Sequence, residues 1–362
     1  MKNNAVTLYD VAREAGVSYQ TVSRVVNQST HVSVATRERV YQAIDQLNYV
    51  PNKVAQQLAG KRSHTLGLAT TSLALHAPSQ IAAAIKTRAS QERYHTVIAM
   101  VDSLEPRALH DAIKSLIAQR VDGIIINIPL TDDGATAMQQ LAPQLPMIFT
   151  DVCPSSQVNY VLFDPAQGSR LAIERLVHLG HRAFFLLTGP AASISATLRG
   201  ESATLQLQAN NLAPVLSMAG DWSAQSGFEA TVIALAQKHR FTAVVVANDQ
   251  MALGTLRALS EAGFRVPDDV SVIGYDDTYD SAFFTPPLTT IAQDFVLLGN
   301  TSVEQLLALL SGEQRCRTVL PVRLVERSTA AAFSDQRTTV THLSEQLDKI
   351  ATQLRQLSEP PK

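Results

Sequence analysis

"LYDVAREAGVSYQTVSRVVN", residues 8–27, carries two short helical patterns that meet at a glycine. Thr7 followed by Asp10 has the form of a capping box, and Leu8, Val11, Ala12 and Ala15 recur at helical spacing, so the first helix has one apolar face. Gly16 ends it, Val17 fills the corner, and Ser18 is the expected N-cap of a second helix whose Val22, Val25 and Val26 point inward. A third amphipathic pattern follows Ser33, with Val40, Ala43, Ile44 and Leu47 on its inner side. Three short helices around a valine and leucine core define a helix-turn-helix module.

The second of these helices exposes a polar face that packing does not require. An α-helix matches the width of the DNA major groove, and its N-terminal residues reach base edges there. Tyr19 and Gln20 stand at that end and Arg24 one turn on, where an amide or guanidinium can satisfy two base groups at once. Ser18, Thr21, Ser23, Asn27 and His31 fit phosphate contacts that fix the register. Thr7 and Leu8, at the start of the first helix, complete the face expected to meet DNA. The competing reading is a solvated helix face in a small bundle.

Charge is divided unevenly. Residues 1–62 hold eight Lys or Arg against four acids, a net of +4, while the rest of the chain carries −6. A small basic module on a larger acidic body suits a polyanion-binding head with a separate control domain. Beyond the module, "NYVPNKVAQQLAGKRS" offers Pro51 as a stop, Asn52 as an N-cap, a helical run from Lys53 to Ala59 and Gly60 as a terminator. So short a helix needs a partner to order. Two of them side by side in a dimer would enter a minor groove, with Asn52, Gln56, Leu58 and Ala59 facing DNA and Leu58 as an apolar wedge. The plainer alternative is a linker.

From about residue 64 to 333, apolar runs such as "TLGLAT", "DGIIINI", "RAFFLLTG", "FTAVVVAND", "DVSVIGYDD" and "TVLPVRLV" alternate with helical patterns. This is the pattern of parallel βαβ units with both sheet faces covered, and the number of runs calls for two sheets. Ligands in such folds bind beyond the carboxyl ends of strands, where this chain places Asn127, Asp151, Asn248 and Asp276. Amides and carboxylates there can bracket vicinal sugar hydroxyls. Any one of Asn248, Asp249, Asp276 and Asp277 also fits a helix cap, but several together at strand ends point to a site. Trp222, the only tryptophan, follows a turn and fits the wall of such a pocket.

The runs "VTLYDVAREAGVSYQTVSRVVN", "NYVPNKVAQQLAGK", "SLALHAPSQI", "GDWSAQSGF", "VANDQMALG", "GYDDT" and "PPLTTIAQDF" resemble the LacI/GalR family of bacterial transcription repressors over almost the whole chain. The resemblance implies an α/β fold: a helix-turn-helix head (1–50), a hinge helix and linker (51–63), a two-subdomain core of periplasmic-binding-protein type (64–333), and a tail (334–362). The N-subdomain would take about 64–163 and 293–322, the C-subdomain about 164–291 and 323–333. It further implies a repressor of the galactoside-responsive branch, with operator DNA, a sugar inducer and copies of the chain itself as partners. A family member answering to another sugar or to a purine is the alternative.

By the same resemblance the sugar pocket takes Leu75, Ala77, Pro78, Ile81 and Phe163, and also Ser195, Arg199, Gln293 and Phe295. Arg199 would donate to sugar hydroxyls, although the chain departs from the family pattern just after it, reading "GESA". Lys86 is expected at a moving dimer interface.

The tail repeats Val340, Leu343, Leu347, Ile350, Leu354 and Leu357 at spacings of three and four, behind a polar tether "FSDQRTTVT". A helix docking on its own body would give such a stripe; the resemblance implies instead a four-helix bundle that joins two dimers. Other classes fare worse. A periplasmic sugar-binding protein would need a signal peptide and no DNA head, and a glycosidase would need an acid and nucleophile pair, for which only Asp151 and Asp276 offer themselves. No run of 18 apolar residues appears, so the cytoplasm is the expected compartment and no membrane partner is expected. Cys153 and Cys316 lie in no metal-ligand spacing; no metal or cofactor is expected, and both read as buried packing thiols.

Overall fold

The computed structural model describes residues 6–26, 31–49, 62–237 and 240–333. Asn27, the hinge residues Asn52, Gln56, Leu58 and Ala59, and the tail positions Val340, Leu343, Leu347, Ile350, Leu354 and Leu357 lie outside the described residues. The chain divides into two compact units, Met1–His64 and Thr65–Lys362.

The first unit holds α1 (Leu8–Ala15), α2 (Tyr19–Val26) and α3 (Val34–Gln46). Both halves of the Thr7–Asp10 capping box are formed, and Gly16 closes α1 with φ 63°, a left-handed conformation that suits glycine. Val11, Ala12, Ala15, Val22, Val25, Val40 and Ala43 make its core, joined by Tyr49.

The second unit is built on two six-stranded sheets. In the first, β1 (Thr65–Thr70), β2 (His95–Met100), β3 (Gly123–Asn127), β4 (Met147–Phe149), β5 (Tyr160–Phe163) and β11 (Arg317–Leu320) lie in the order β11-β5-β4-β3-β1-β2. In the second, β6 (Phe184–Thr188), β7 (Pro214–Ala219), β8 (Ala243–Val246), β9 (Ser271–Asp276), β10 (Thr289–Ala292) and β12 (Arg323–Val325) lie in the order β12-β10-β9-β8-β6-β7. Helices cover both faces of each sheet, which is why central strands such as β3 and β8 are apolar on both sides. β3 makes the alternation visible: Ile124 and Ile126 pack under α5 (Pro106–Ala118) and α6 (Asp132–Gln140), while Ile125 packs under α4 (His76–Gln91) and α11 (Phe295–Leu310). In the second sheet α7 (Pro165–His178) and α8 (Ile194–Ala209) cover one face, and α9 (Ala224–Ala236) and α10 (Asp249–Glu261) the other. The chain passes between the sheets three times: after β5, after β10, and between β11 and β12.

Four details correct the sequence reading. β7 and β10 were not among the apolar runs. β7 is an edge strand that begins with proline and alternates in burial, and β10, "TTIA", is buried with its threonines satisfied inside, Thr290 donating to Asp249 Oδ1 at 2.6 Å. "TVLPVRLV" is two strands in different sheets, split before Pro321, and β12 runs antiparallel to β10 in an otherwise parallel arrangement. Cys316 is buried as expected, whereas Cys153 is only partly covered, in a loop beside Ser155. Among the described residues no helix is long and apolar enough to cross a membrane.

Candidate functional site

Two sites emerge, one in each unit. On the first, Tyr19, Gln20 and Arg24 on α2, with Ser18 just ahead of it, are exposed while Val22 and Val25 are wholly buried behind them, so helical spacing turns the polar residues of α2 outward. Thr7 and His31 are exposed as well; Leu8, Thr21 and Ser23 are half-covered. Ser18 also has a structural task, because its hydroxyl oxygen accepts the Thr21 N–H at 3.2 Å and caps α2. Sequence reasoning missed Tyr9. Its ring, 66% exposed on α1, stacks on Tyr19 with centroids 4.7 Å apart, a pairing across two helices that no spacing within one helix reveals.

The second unit contains a cavity of about 300 Å³ where strand ends of both sheets meet. All fourteen residues singled out for ligand binding line it: Leu75, Ala77, Pro78, Ile81 and Asn127; Asp151, Phe163, Ser195 and Arg199; Trp222, Asn248, Asp276, Gln293 and Phe295. They arrive from the ends of β1, β3, β4, β5, β7, β8, β9 and β10 and the starts of α4, α8 and α11. Phe163 and Gln293 stand where the chain crosses between the sheets. Thr71, His76, Thr150 and Gln250 also line the cavity without having been singled out. His76 and Gln250 sit within two residues of named positions, so proximity in sequence was an available signal.

The polar groups are held by bonds among themselves. Asn127 donates to Thr70 Oγ1 at 3.2 Å and accepts from the Thr150 hydroxyl at 2.9 Å, which fixes its amide. Asn248 both caps α10, accepting the Met251 N–H at 2.9 Å, and donates to the Trp222 carbonyl at 3.0 Å. The capping role and the lining role therefore coexist. Asp249 and Asp277 serve the frame: Asp249 accepts from the Thr278 N–H and the Thr290 hydroxyl, and Asp277 pairs with Arg327 at 2.6 Å.

Arg199 is the most constrained. It donates to the Ala247 carbonyl at 2.8 Å and to Gln293 Oε1 at 2.9 Å, and its Nη1 is 3.8 Å from Asp276 Oδ1. Burial lifts the Asp276 carboxyl to about 8 against the opposing pull of Arg199. Burial likewise lifts Asp151 to about 6, with Arg199 and the Ser195 N–H, 3.2 Å away, drawing it back. These are buried carboxyls at the cleft with few bonds of their own, suited to exchange hydrogen bonds with ligand hydroxyls.

Backbone strain collects here too. Trp222 has φ 77° and Asp276 φ 115°, conformations that L-residues avoid and that persist at sites the surrounding structure over-determines. Gly189 lies beneath the Trp222 ring, where a Cβ would come within 2.3 Å of it. The apolar wall of Leu75, Ile81, Phe163 and Phe295 faces these polar groups, with Phe163 and Phe295 edge to face at 5.8 Å.

A helix-turn-helix head ahead of a two-sheet core with a polar cleft is the architecture of a bacterial regulator, and the chain belongs to the LacI family. Residues 7–52 match the family described as bacterial regulatory proteins, lacI family, and residues 173–330 match a periplasmic binding protein-like domain. The chain is 51% identical to the lactose operon repressor of Escherichia coli (strain K12) over 97% of its own length and 98% of that protein's. It superposes with a TM-score of 0.87, at 52% identity, on the lac repressor dimer bound to operator and the anti-inducer ONPF, covering 91% of this chain and 100% of that one. A dimeric lac repressor with an 11-residue C-terminal deletion matches with a TM-score of 0.73 at 48% identity, over 75% of this chain and 100% of that one.

Proposed function

We propose that this protein is a lac-type repressor: it binds an operator through paired helix-turn-helix heads and is released when a galactoside enters the cleft. The observation that carries this reading is the cleft itself, in which Asn127, Asp151, Arg199, Asn248 and Asp276 converge opposite Trp222 and an apolar wall. That combination fits a sugar, whose hydroxyls need oriented hydrogen bonds and whose ring presents an apolar face. A hydrogen bond to a charged partner contributes roughly 1.5 to 3 kcal/mol, so two or three of them decide which epimer is held.

The cleft is lined from both sheets, so a ligand that fits only one relative angle of the two lobes favours that angle. A difference in affinity between two states of the dimer is all that is needed, and couplings of this kind are typically 1 to 3 kcal/mol. The two hinge segments, folding side by side in the minor groove, would transmit that choice to the heads. The tail would join two dimers into a tetramer, and the protein would act in the cytoplasm on the chromosome. Asp151 and Asp276 serve as ligands of the sugar rather than as an acid and nucleophile pair, so the chain leaves its inducer intact.

The test is a gel-shift titration of the full chain on a lac-type operator, with and without a thio-β-galactoside. Retardation that is lost on adding the sugar supports head, cleft and coupling together; retardation unchanged at millimolar sugar rejects the galactoside assignment. Incubation with a chromogenic β-galactoside should release no chromophore.

A further inference from the structure

We infer that Tyr275 is a positioning residue of the cleft: its ring fixes the plane of the Arg199 guanidinium and so sets the direction in which Arg199 offers hydrogen bonds to a ligand. The inference rests on the cleft being a sugar site, as proposed above. Tyr275 immediately precedes Asp276 on β9, and strand alternation sends the two side chains to opposite faces. Asp276 lines the cleft, while Tyr275, 2% exposed, packs in the core with Ile173 and Phe184. The guanidinium carbon of Arg199 lies 3.8 Å from the centre of the Tyr275 ring and 6.0 Å from the Trp222 ring. The charge is thus attracted to two aromatic faces, the nearer of which is the buried one.

Hydrogen bonds alone do not hold this guanidinium. Of its five N–H groups one goes to the Ala247 carbonyl and one to Gln293 Oε1, and Nε is without a partner among the described residues. Asp276, at 3.8 Å, is too distant for a direct bond. A planar ion with so few bonds would tilt unless a flat surface backed it, and Tyr275 is that surface. The phenol oxygen feels the Arg199 charge but makes no hydrogen bond of ordinary geometry among the described residues, and it is packed so close to Gly168 that a Cβ there would come within 2.1 Å of it. The positioning is assigned to the aromatic face, and comparing Phe with Leu at this position separates the face from the hydroxyl.

Calorimetric titration of the full chain with a thio-β-galactoside tests this, alongside the ligand-free emission of Trp222. Tyr275→Phe keeps the face and is expected to bind within about twofold of the unaltered chain, since a hydroxyl without a well-formed hydrogen bond contributes little. Tyr275→Leu removes the face and is expected to weaken binding roughly tenfold or more. In an Arg199→Lys background, which lacks the planar fork, the same substitution is expected to change affinity by less than about twofold. Trp222 emission should shift in Tyr275→Leu and stay in place in Tyr275→Phe. Equal losses in Phe and Leu, or a Leu variant that melts earlier yet binds as tightly and emits alike, would overturn the inference. Tyr275→Met serves as a second ring-less variant should Leu fail to fold. If the unaltered chain binds no galactoside, the proposed function fails instead, and the emission comparison still decides whether the ring holds Arg199.

Discussion

Arg199 and Asp276 face each other at 3.8 Å with side chains only 11% and 6% exposed, close enough to feel one another's charge and too far apart to share a hydrogen bond. Gln293 and the Ala247 carbonyl draw Arg199 to one side, and the φ of 115° at Asp276 aims its carboxyl into the cleft. The gap is an arrangement for a third party. A hydroxyl placed there can accept from the guanidinium, a charge-assisted bond stronger than its neutral counterpart, while it bonds the Asp276 carboxyl on its other side.

Burial of Asp276, which outweighs the pull of Arg199, makes stability fall with pH in a defined window. Asp276 holds its proton up to about 8 when folded but releases it near 3.8 when unfolded, so the folded state binds the extra proton between those values and loses that advantage as pH rises. Asp151 and Asp249, lifted to about 6, behave alike but finish lower. The half-buried His76 and the buried His181, whose pKa values are lowered from 6.5, act in the opposite sense below that pH. Between pH 6.5 and 8 Asp276 therefore dominates. Scanning calorimetry of the ligand-free protein should record a falling melting temperature across this interval, by a few degrees for at most about 2 kcal/mol. Asp276→Asn should flatten the slope.

Gly189 supports Trp222 by having no side chain. A Cβ at that position would come within 2.3 Å of the Trp222 ring, and the Trp222 backbone is itself held by Asn248, which donates to its carbonyl. Gly189→Ala should displace the indole, shift its emission and weaken galactoside binding by roughly 1 to 3 kcal/mol, the range for a disturbed packed contact. Operator affinity without sugar should be unchanged, as read by fluorescence anisotropy with labelled DNA; a parallel loss there would mean that the substitution unfolds the core instead.

How far the sequence carried the fold depended on whether a signal was local. The capping box at Thr7, the glycine at 16 and the isoleucines of β3 are read within a few neighbours, and each maps directly onto an element. β10 escaped because its four residues are half threonine and their satisfaction comes from Asp249 and Thr329, 40 or 41 positions away. The fourteen cleft residues were reached partly through strand-end chemistry and partly through family resemblance. The setting of Arg199 was not legible at all: its restraints come from Ala247, Tyr275 and Gln293, which only the folded chain brings together.

The head offers a separation of base reading from scaffolding. Gln20→Ala removes an exposed amide at the start of α2 and should cost about 1 to 3 kcal/mol on the preferred operator, with less loss on sequences altered beneath it. Ser18→Ala should weaken all sequences alike and also destabilise the head by about 1 kcal/mol, since Ser18 caps α2. Tyr9→Ala strips the stacked partner of Tyr19, and its effect should track that of Tyr19→Ala in a double-mutant cycle. Competition binding against single-position operator variants resolves the three patterns.

The tail is tested by removal. Val340, Leu343, Leu347, Ile350, Leu354 and Leu357 fill one stripe over 18 residues, two and a half heptads, which is short for a lasting two-stranded coil and better buried when four copies share one core. A chain ending at Asp335 should therefore sediment as a dimer where the full chain sediments as a tetramer. Its affinity for a single operator and its response to galactoside should be kept, because among the described residues the cleft is lined from the core and the exposed face of α2 belongs to the head. An unchanged oligomeric state on truncation would instead place the stripe against the core of its own subunit.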